Sequence, residues 1–209
     1  QTYKNWRAVV CYDHPECMSF LRDQDRDPRV TILKAPTVDK AHSHFYNLYC
    51  NFLLDQVTDG WIMFLDDDDR VETPRALQTI TGAMRSFNDF ILWGFRLGKS
   101  RVSPRAATQI RYGEIASCAF CFHSSHRHLA RWAPQRGADF LFVTSLLAAN
   151  PEFNPLLLRR VLTGTQGRGM GQQGLRDGDP VGAWWGKYHV SSLRVSESLS
   201  GLAPRFRKK

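Results

Sequence analysis

One stretch concentrates the chemistry of this chain: Gly60-Trp61-Ile62-Met63-Phe64-Leu65-Asp66-Asp67-Asp68-Asp69-Arg70. The apolar run Trp61–Leu65 has the length and bulk of a strand buried on both faces. Four consecutive aspartates follow it, where such a strand leaves its sheet. Like charges at one point repel, so folding alone gives no reason to place them there. A divalent cation gives one. Oxygen-rich clusters suit Mg²⁺ or Mn²⁺, which commonly reach protein through one or two carboxylates plus substrate phosphates. Ligands of α/β sheets bind beyond the carboxyl ends of strands. The competing reading is a solvated acidic turn.

Other reactive side chains are less pointed. The cysteines are Cys11, Cys17, Cys50, Cys118 and Cys121, an odd count without framework spacing. That pattern predicts free thiols and a reducing, cytoplasmic compartment. Cys118 and Cys121 form a C-x-x-C inside the apolar run 115–122, with no second pair elsewhere, and read as core cysteines. His123, His126 and His128 lie among Arg127 and Arg131 and read as a solvated face. The segment 163–182 holds seven of the 15 glycines. Within it, Gly169-Met170-Gly171-Gln172-Gln173-Gly174 matches the dinucleotide fingerprint by letter. Its context argues against that, since Leu156–Leu162 reads as a helix and not as the strand a βαβ unit needs. A substrate loop is the expectation, with Arg168 and Arg176 placed to close over a diphosphate. Trp184-Trp185 either stacks on a sugar ring or packs.

The elements that must position these residues read as follows. Strands are expected at Trp6–Cys11, Val30–Lys34, Trp61–Leu65, Phe90–Leu97 and Ile115–His123. Helices are expected from His42 to Val57, from the Thr73-Pro74 cap to about Phe87, and over Asp139–Ala149. On the first helix Asn47 and Asn51 are four apart and share a face. The 209 residues fit one domain with a sizeable core, and 43% are hydrophobic. No apolar run approaches the roughly 20 residues that span a bilayer, and Lys4, Arg7, Asp13 and Glu16 argue against a signal peptide. The formal charge of +8 suits an anionic substrate. Nucleic acid is disfavoured, because no basic helix, zinc finger or stacking motif accompanies the charge.

Gln1-Thr2-Tyr3-Lys4-Asn5-Trp6-Arg7-Ala8-Val9-Val10 closely resembles the second-strand entry of family-two glycosyltransferases with the GT-A fold. The helix carrying Asn47 and Asn51, then Gly60–Leu65 and the aspartates, resembles their third segment, and the acidic run their D-x-D metal motif. Gly137-Ala138-Asp139 before an apolar helix resembles the place where they carry an acidic pair. The resemblance covers residues 1–150 and fades beyond 180. It implies an α/β fold: a single GT-A-type, Rossmann-like domain with a mixed, mostly parallel central sheet flanked by helices. Residues 1–180 would form it, with a donor half to about 75, an acceptor half from 76, and 181–209 as a C-terminal extension.

The resemblance further implies a metal-dependent, inverting hexosyltransferase that moves a sugar from a nucleotide-diphosphate donor, UDP-sugar favoured, to a hydroxyl of a glycan or other acceptor. The cofactor would be Mn²⁺ or Mg²⁺. A cation bridging both phosphates stabilises the charge that develops on the leaving nucleoside diphosphate. Inversion needs a base on the opposite face of the sugar, and the resemblance makes it Asp139. Asp68 would be the main metal ligand, with Asp66 beside it and His189 a late third ligand; a register using Asp67 and Asp69 stays open. Asp66 or Asp67 would lie nearer the ribose. Donor contacts would come from Asp13, Asp39, Asn47 and Asn51, although Tyr12 stands where the family's first base-recognition acid usually is. The rivals are a glycoside hydrolase using two carboxylates and a non-catalytic sugar-nucleotide or glycan-binding module. Family members also carry a strand and helix ahead of the Q-T-Y-x-N-W segment, and that strand lies mid-sheet. Two outcomes are therefore expected: the natural protein is longer, or Trp6–Cys11 pairs directly with Trp61–Leu65.

Overall fold

The computed structural model describes residues 1–15, 17–21, 27–39, 41, 44–67, 69–107 and 109–165. The element order is β1 (Ala8–Tyr12), α1 (Cys17–Leu21), β2 (Val30–Lys34), α2 (Asn47–Gln56), β3 (Trp61–Met63), β4 (Asp69–Val71), α3 (Ala76–Thr81), β5 (Asp89–Leu97), β6 (Ser100–Val102), β7 (Phe120–His123), α4 (Ala138–Ala149) and β8 (Asn154–Thr165). β1 and β2 form a parallel pair, and the larger sheet has the order β3-β7-β5-β8-β4 with β6 on β5. The architecture is α/β with a mixed central sheet, as expected. Its parallel share is smaller than expected: β1–β2 and β5–β8 are parallel, whereas β3–β7, β4–β8, β5–β6 and β5–β7 are antiparallel. Short returns such as the Gly98-Lys99 turn between β5 and β6 make antiparallel pairing the local outcome.

β5 explains the core. Its alternating residues Phe90 and Leu92 enter one cluster with Leu54 of α2 and Phe142, Val143 and Leu146 of α4. Ile91, Trp93 and Phe95 enter the opposite cluster with Ala76 and Ile80 of α3 and Leu162 of β8. A strand covered on both faces reads as an unbroken apolar run, and each large side chain so buried stabilises by about 1.5–3 kcal/mol. Cys118 and Cys121 are free and buried in the second cluster, the core cysteines that their apolar setting predicts.

Four expectations change. Leu156–Leu162 is strand and belongs to β8, paired in parallel with β5. β-branched or bulky residues on a chain segment that returns beside a buried strand adopt extended structure despite their helical spacing, because the ladder satisfies their backbone. The helix from Thr73-Pro74 is confined to Ala76–Thr81, with Gly82 at its C-cap. The run from Ile115 begins with a 3₁₀ turn at Ser117–Ala119 before β7. Nor does β1 pair with β3: among the described residues β1 joins β2 alone and β3 joins β7 alone, so the direct closure of these two strands does not occur. The connection between the two sheets runs through α2, which lies against β1 and sends Leu54 into the larger core. Gln1 and Thr2 add a second link, with the Thr2 amide donating to Pro74 O at 2.8 Å and Gln1 Nε2 to Thr73 O at 2.9 Å. No helix among the described residues is long and apolar enough to cross a membrane.

Candidate active site

Phe64 fixes the end of the strand that delivers the acid run. It is buried, with Trp132 at 5.0 Å in an edge-to-face contact and Phe142 of α4 at 5.9 Å. Two residues later the Asp66 carboxylate emerges exposed and accepts the Ser117 hydroxyl at 2.8 Å. Ser117 is held in turn by the 3₁₀ turn it opens. The carbonyl of the next residue, Cys118, accepts from Trp93 Nε1 at 3.0 Å and from the Thr163 hydroxyl at 2.9 Å, all buried.

The four aspartates are not equivalent. Asp66 and Asp67 are exposed, whereas Asp69 is buried at the start of β4. The Asp69 carboxylate accepts the Asp66 amide at 3.2 Å, and the Asp69 amide donates to Asp66 O at 3.0 Å. Asp69 therefore closes the turn that presents Asp66. Asp68 lies outside the described residues, as do His189, Arg168, Arg176, Trp184 and the glycine-rich stretch 169–174.

Asp139 stands in the first turn of α4, behind Gly137 with φ 70°. A Cβ at Gly137 would come within 2.2 Å of the Tyr112 ring, so glycine is required there both for its backbone and for its size. Burial pushes the Asp139 carboxyl up to about 6; the Phe140 amide that it accepts at 2.8 Å pulls the other way, and the charge of Asp66 adds to the rise. The structure thus brings Asp66 and Asp139 into one electrostatic neighbourhood.

Tyr46, which sequence reasoning passed over, belongs to it as well. Its phenol is raised chiefly by burial and then by Asp66, opposed by Arg136, with Asp139 and Cys50 adding smaller increments, while 52% of the residue stays exposed. His44 is lowered by burial and by Arg136. Tyr46 caps the N-terminus of α2 directly before Asn47.

Asn47 and Asn51 do share a face, and their amides hold a loop. Asn47 Nδ2 donates to Ala133 O and Gln135 O, each at 3.0 Å. Asn51 Nδ2 donates to Trp132 O at 2.9 Å, and its Oδ1 accepts the Trp132 amide at 2.8 Å. That loop leads straight into Gly137 and Asp139, so both asparagines hold the segment that precedes Asp139. Asp13, exposed after β1, accepts the Tyr49 hydroxyl at 3.3 Å; Asp39 is exposed and accepts the Ala41 amide at 2.9 Å in a turn. His123 stacks on Phe87 at 4.1 Å, at the opposite end of β3 from the aspartates.

Among the described residues no group of three or more His, Cys, Asp or Glu side chains is arranged to hold a metal ion. The donor chemistry of the turn nevertheless suits one: Asp66 and Asp67 offer exposed oxygen ligands on neighbouring residues, the set through which Mg²⁺ and Mn²⁺ attach when phosphates supply the rest.

No protein-family profile and no curated protein matches the chain. Solved structures do. The crystal structure of S. aureus TarS 1–349 superposes with a TM-score of 0.59 at 13% identity, covering 79% of this chain and 53% of that one. The crystal structure of S. aureus TarS gives 0.59 at 14% identity, covering 79% and 32%. TarS is a glycosyltransferase. The chain shares the α/β fold of that protein. It spans about half of the first matched chain and about a third of the second. In this fold the acid turn and Asp139 occupy the carboxyl-end edge of the central strands, where α/β sheets bind their ligands.

Proposed function

We propose that the chain is a metal-dependent, inverting glycosyltransferase that moves a hexosyl group from a nucleotide-diphosphate donor, most readily a UDP-sugar, to an acceptor hydroxyl. The observation that carries this reading is the pairing of an exposed acid turn at Asp66 with a half-buried Asp139 whose carboxyl is raised to about 6, in a fold shared with a glycosyltransferase. Asp139 accepts the acceptor hydroxyl proton as that oxygen bonds to the anomeric carbon and the bond to the diphosphate breaks, with the electron pair leaving on the phosphate oxygen. A carboxyl poised near neutrality suits a general base. Asp68 and Asp66 would hold Mn²⁺ or Mg²⁺, with His189 as a further ligand. When bound, the cation supplies charge neutralisation for the departing diphosphate. Tyr46 feels the charge of both Asp66 and Asp139, and Asn47 and Asn51 hold the loop that leads to Asp139.

A thermal-shift panel of UDP-, GDP- and dTDP-sugars with and without Mn²⁺ tests the reading. A ligand at 100 times its Kd adds about 2.7 kcal/mol of apparent stability, so the correct nucleotide raises the melting temperature in a Mn²⁺-dependent way. Turnover of the donor then separates an enzyme from a binding module. Hydrolysis of glycosides without nucleotide or metal would identify a hydrolase instead. A panel in which no nucleotide sugar stabilises the chain would overturn the proposal.

A further inference from the structure

The strand register aligns three arginines in a single transverse row. Arg70 of β4 lies opposite Gly164 of β8, Gly164 opposite Arg96 of β5, and Arg96 opposite Arg101 of β6. Residues directly opposite one another project to the same face. Gly164 confirms this: a Cβ built on it would stand 3.0 Å from Arg96 Cβ. Like charges across neighbouring strands destabilise a sheet, so the row needs a counter-charge. Glu72 supplies one. Its Oε1 accepts Arg70 Nε at 3.2 Å and its Oε2 faces Arg96 Nε at 3.4 Å, and it lies over Gly164, where a Cβ would come within 2.4 Å of it. Three arginines against one glutamate leave the row with two surplus positive charges. Arg101 is exposed with no carboxylate partner among the described residues, and Lys99 in the adjoining turn is exposed as well. At about 4.8 Å per strand step, the row runs roughly 14 Å across the sheet.

Its position gives it a role. Phe90 and Leu92 of β5 share their core with α4, and Arg96 projects to that same face further along the strand. α4 runs back toward the start of β5, because β8 begins opposite Asp89. The N-terminus of α4, with Asp139, is therefore at the same end and on the same face as the arginine row. The row begins at the residue after Asp69, the aspartate that closes the acid turn.

The geometry points to an acceptor that carries an anionic group, a phosphate or a carboxylate, bound between Arg96 and Arg101. This rests on Asp139 taking its proton from the acceptor, which places the acceptor on the Asp139 side. Arginine forks suit both anion types, and one anion between two opposed guanidinium groups removes the repulsion the register creates.

The test is titration of the full ¹⁵N-labelled chain, followed at the arginine Nε–Hε resonances, with glucose 6-phosphate, glucuronate, neutral glucose and UDP with Mg²⁺ at matched ionic strength. The sugar phosphate or the sugar acid, or both, should shift Arg96 and Arg101 saturably, and the stronger of the two identifies the acceptor's charged group; glucose should not shift them. Arg101→Gln should weaken that binding at least fivefold, and Arg159→Gln, an exposed arginine outside the row, should leave it unchanged. Shifts that fail to saturate, or that persist in Arg101→Gln, overturn the site. Shifts caused by UDP with Mg²⁺ in preference to the sugar anions overturn the acceptor assignment and place donor phosphates on the row. Nucleotide-sugar stabilisation with silent arginines refutes the row alone. Saturable anion binding without any nucleotide-sugar response supports the site and refutes the transferase reading.

Discussion

Replacing Asp139 by Asn keeps the side-chain shape, including an oxygen able to accept the Phe140 amide at 2.8 Å, and removes the titrating carboxyl. Two effects follow with opposite signs. Burial raises this carboxyl from its ordinary 3.8 to about 6. The folded state thus holds the proton more tightly than the unfolded chain. Below pH 3.8 the group is protonated in both states and contributes nothing to the difference. Stability falls as pH rises from 3.8 to 6, and above 6 the ionised group lowers it by up to on the order of 3 kcal/mol. Asn carries no such penalty. For a chain of this size 1 kcal/mol moves Tm by about 2–4 °C. The Tm gap between Asp139→Asn and the native chain should therefore widen by roughly 6–12 °C between pH 4 and pH 7.5. Transfer should fall by roughly 10²-fold or more, the scale of general-base loss, while donor binding survives. The native rate should itself climb as pH rises through about 6. The assays are melting curves across pH and initial rates of sugar transfer. A Tm gap that stays constant from pH 4 to 7.5 would refute the buried, raised carboxyl. Undiminished transfer would assign the base to another group.

Asp68→Ala should abolish the Mn²⁺-dependent rise in melting temperature with the donor and leave metal-free stability the same or higher, as relief of like-charge repulsion requires; unchanged donor affinity would sink the metal assignment. Asp69→Ala leaves the Asp66 amide without its acceptor and should lower stability by about 1–3 kcal/mol together with donor affinity, whereas lost affinity at unchanged Tm would make Asp69 a ligand. Gly137→Ala forces a Cβ into Tyr112 at φ 70° and should cost about 2–5 kcal/mol; adding Tyr112→Ala should return the steric share, and a Gly137→Ala chain that melts normally would contradict the loop geometry. Asn51→Ala removes two hydrogen bonds to the Trp132 backbone and should destabilise by about 1–3 kcal/mol with donor KM unchanged; the reverse pattern would mark Asn51 as a donor contact.

Most strands were legible because burial on both faces writes itself as an apolar run. The stretch around Phe90–Leu97 declares itself in this way, while Val30–Lys34, only partly buried, shows through its β-branched and bulky residues. β8 did not. Leu156, Leu157, Leu158, Val161 and Leu162 follow no strict alternation because the strand is irregular where it passes Trp93 and Gly94, the register skipping Arg159 and Arg160. An irregularity of that kind breaks the two-residue period and leaves a pattern that helix spacing fits equally well. The consequence is functional, since the arginine row depends on β8 being a strand: it is the cross-strand register through Gly164, invisible in sequence, that sets Arg70, Arg96 and Arg101 side by side.

The acid run shows the complementary limit. Its composition announced a site, but four identical letters hold no information about which carboxylate faces solvent and which faces the core. The β-strand that starts at Asp69 decides that, by burying Asp69 where it can accept the Asp66 amide. Asn47 and Asn51 follow the same logic. Their four-residue spacing correctly put them on one helix face, yet a polar pair on an inward face serves either a ligand or a backbone. The loop at Trp132–Gln135 supplies carbonyls to both and an amide to Asn51, and inward polar groups are hydrogen-bonded. Hence the asparagines hold the loop that leads into Gly137 and Asp139. Tyr46, directly before Asn47, stays exposed, and burial and then the charge of Asp66 raise its phenol.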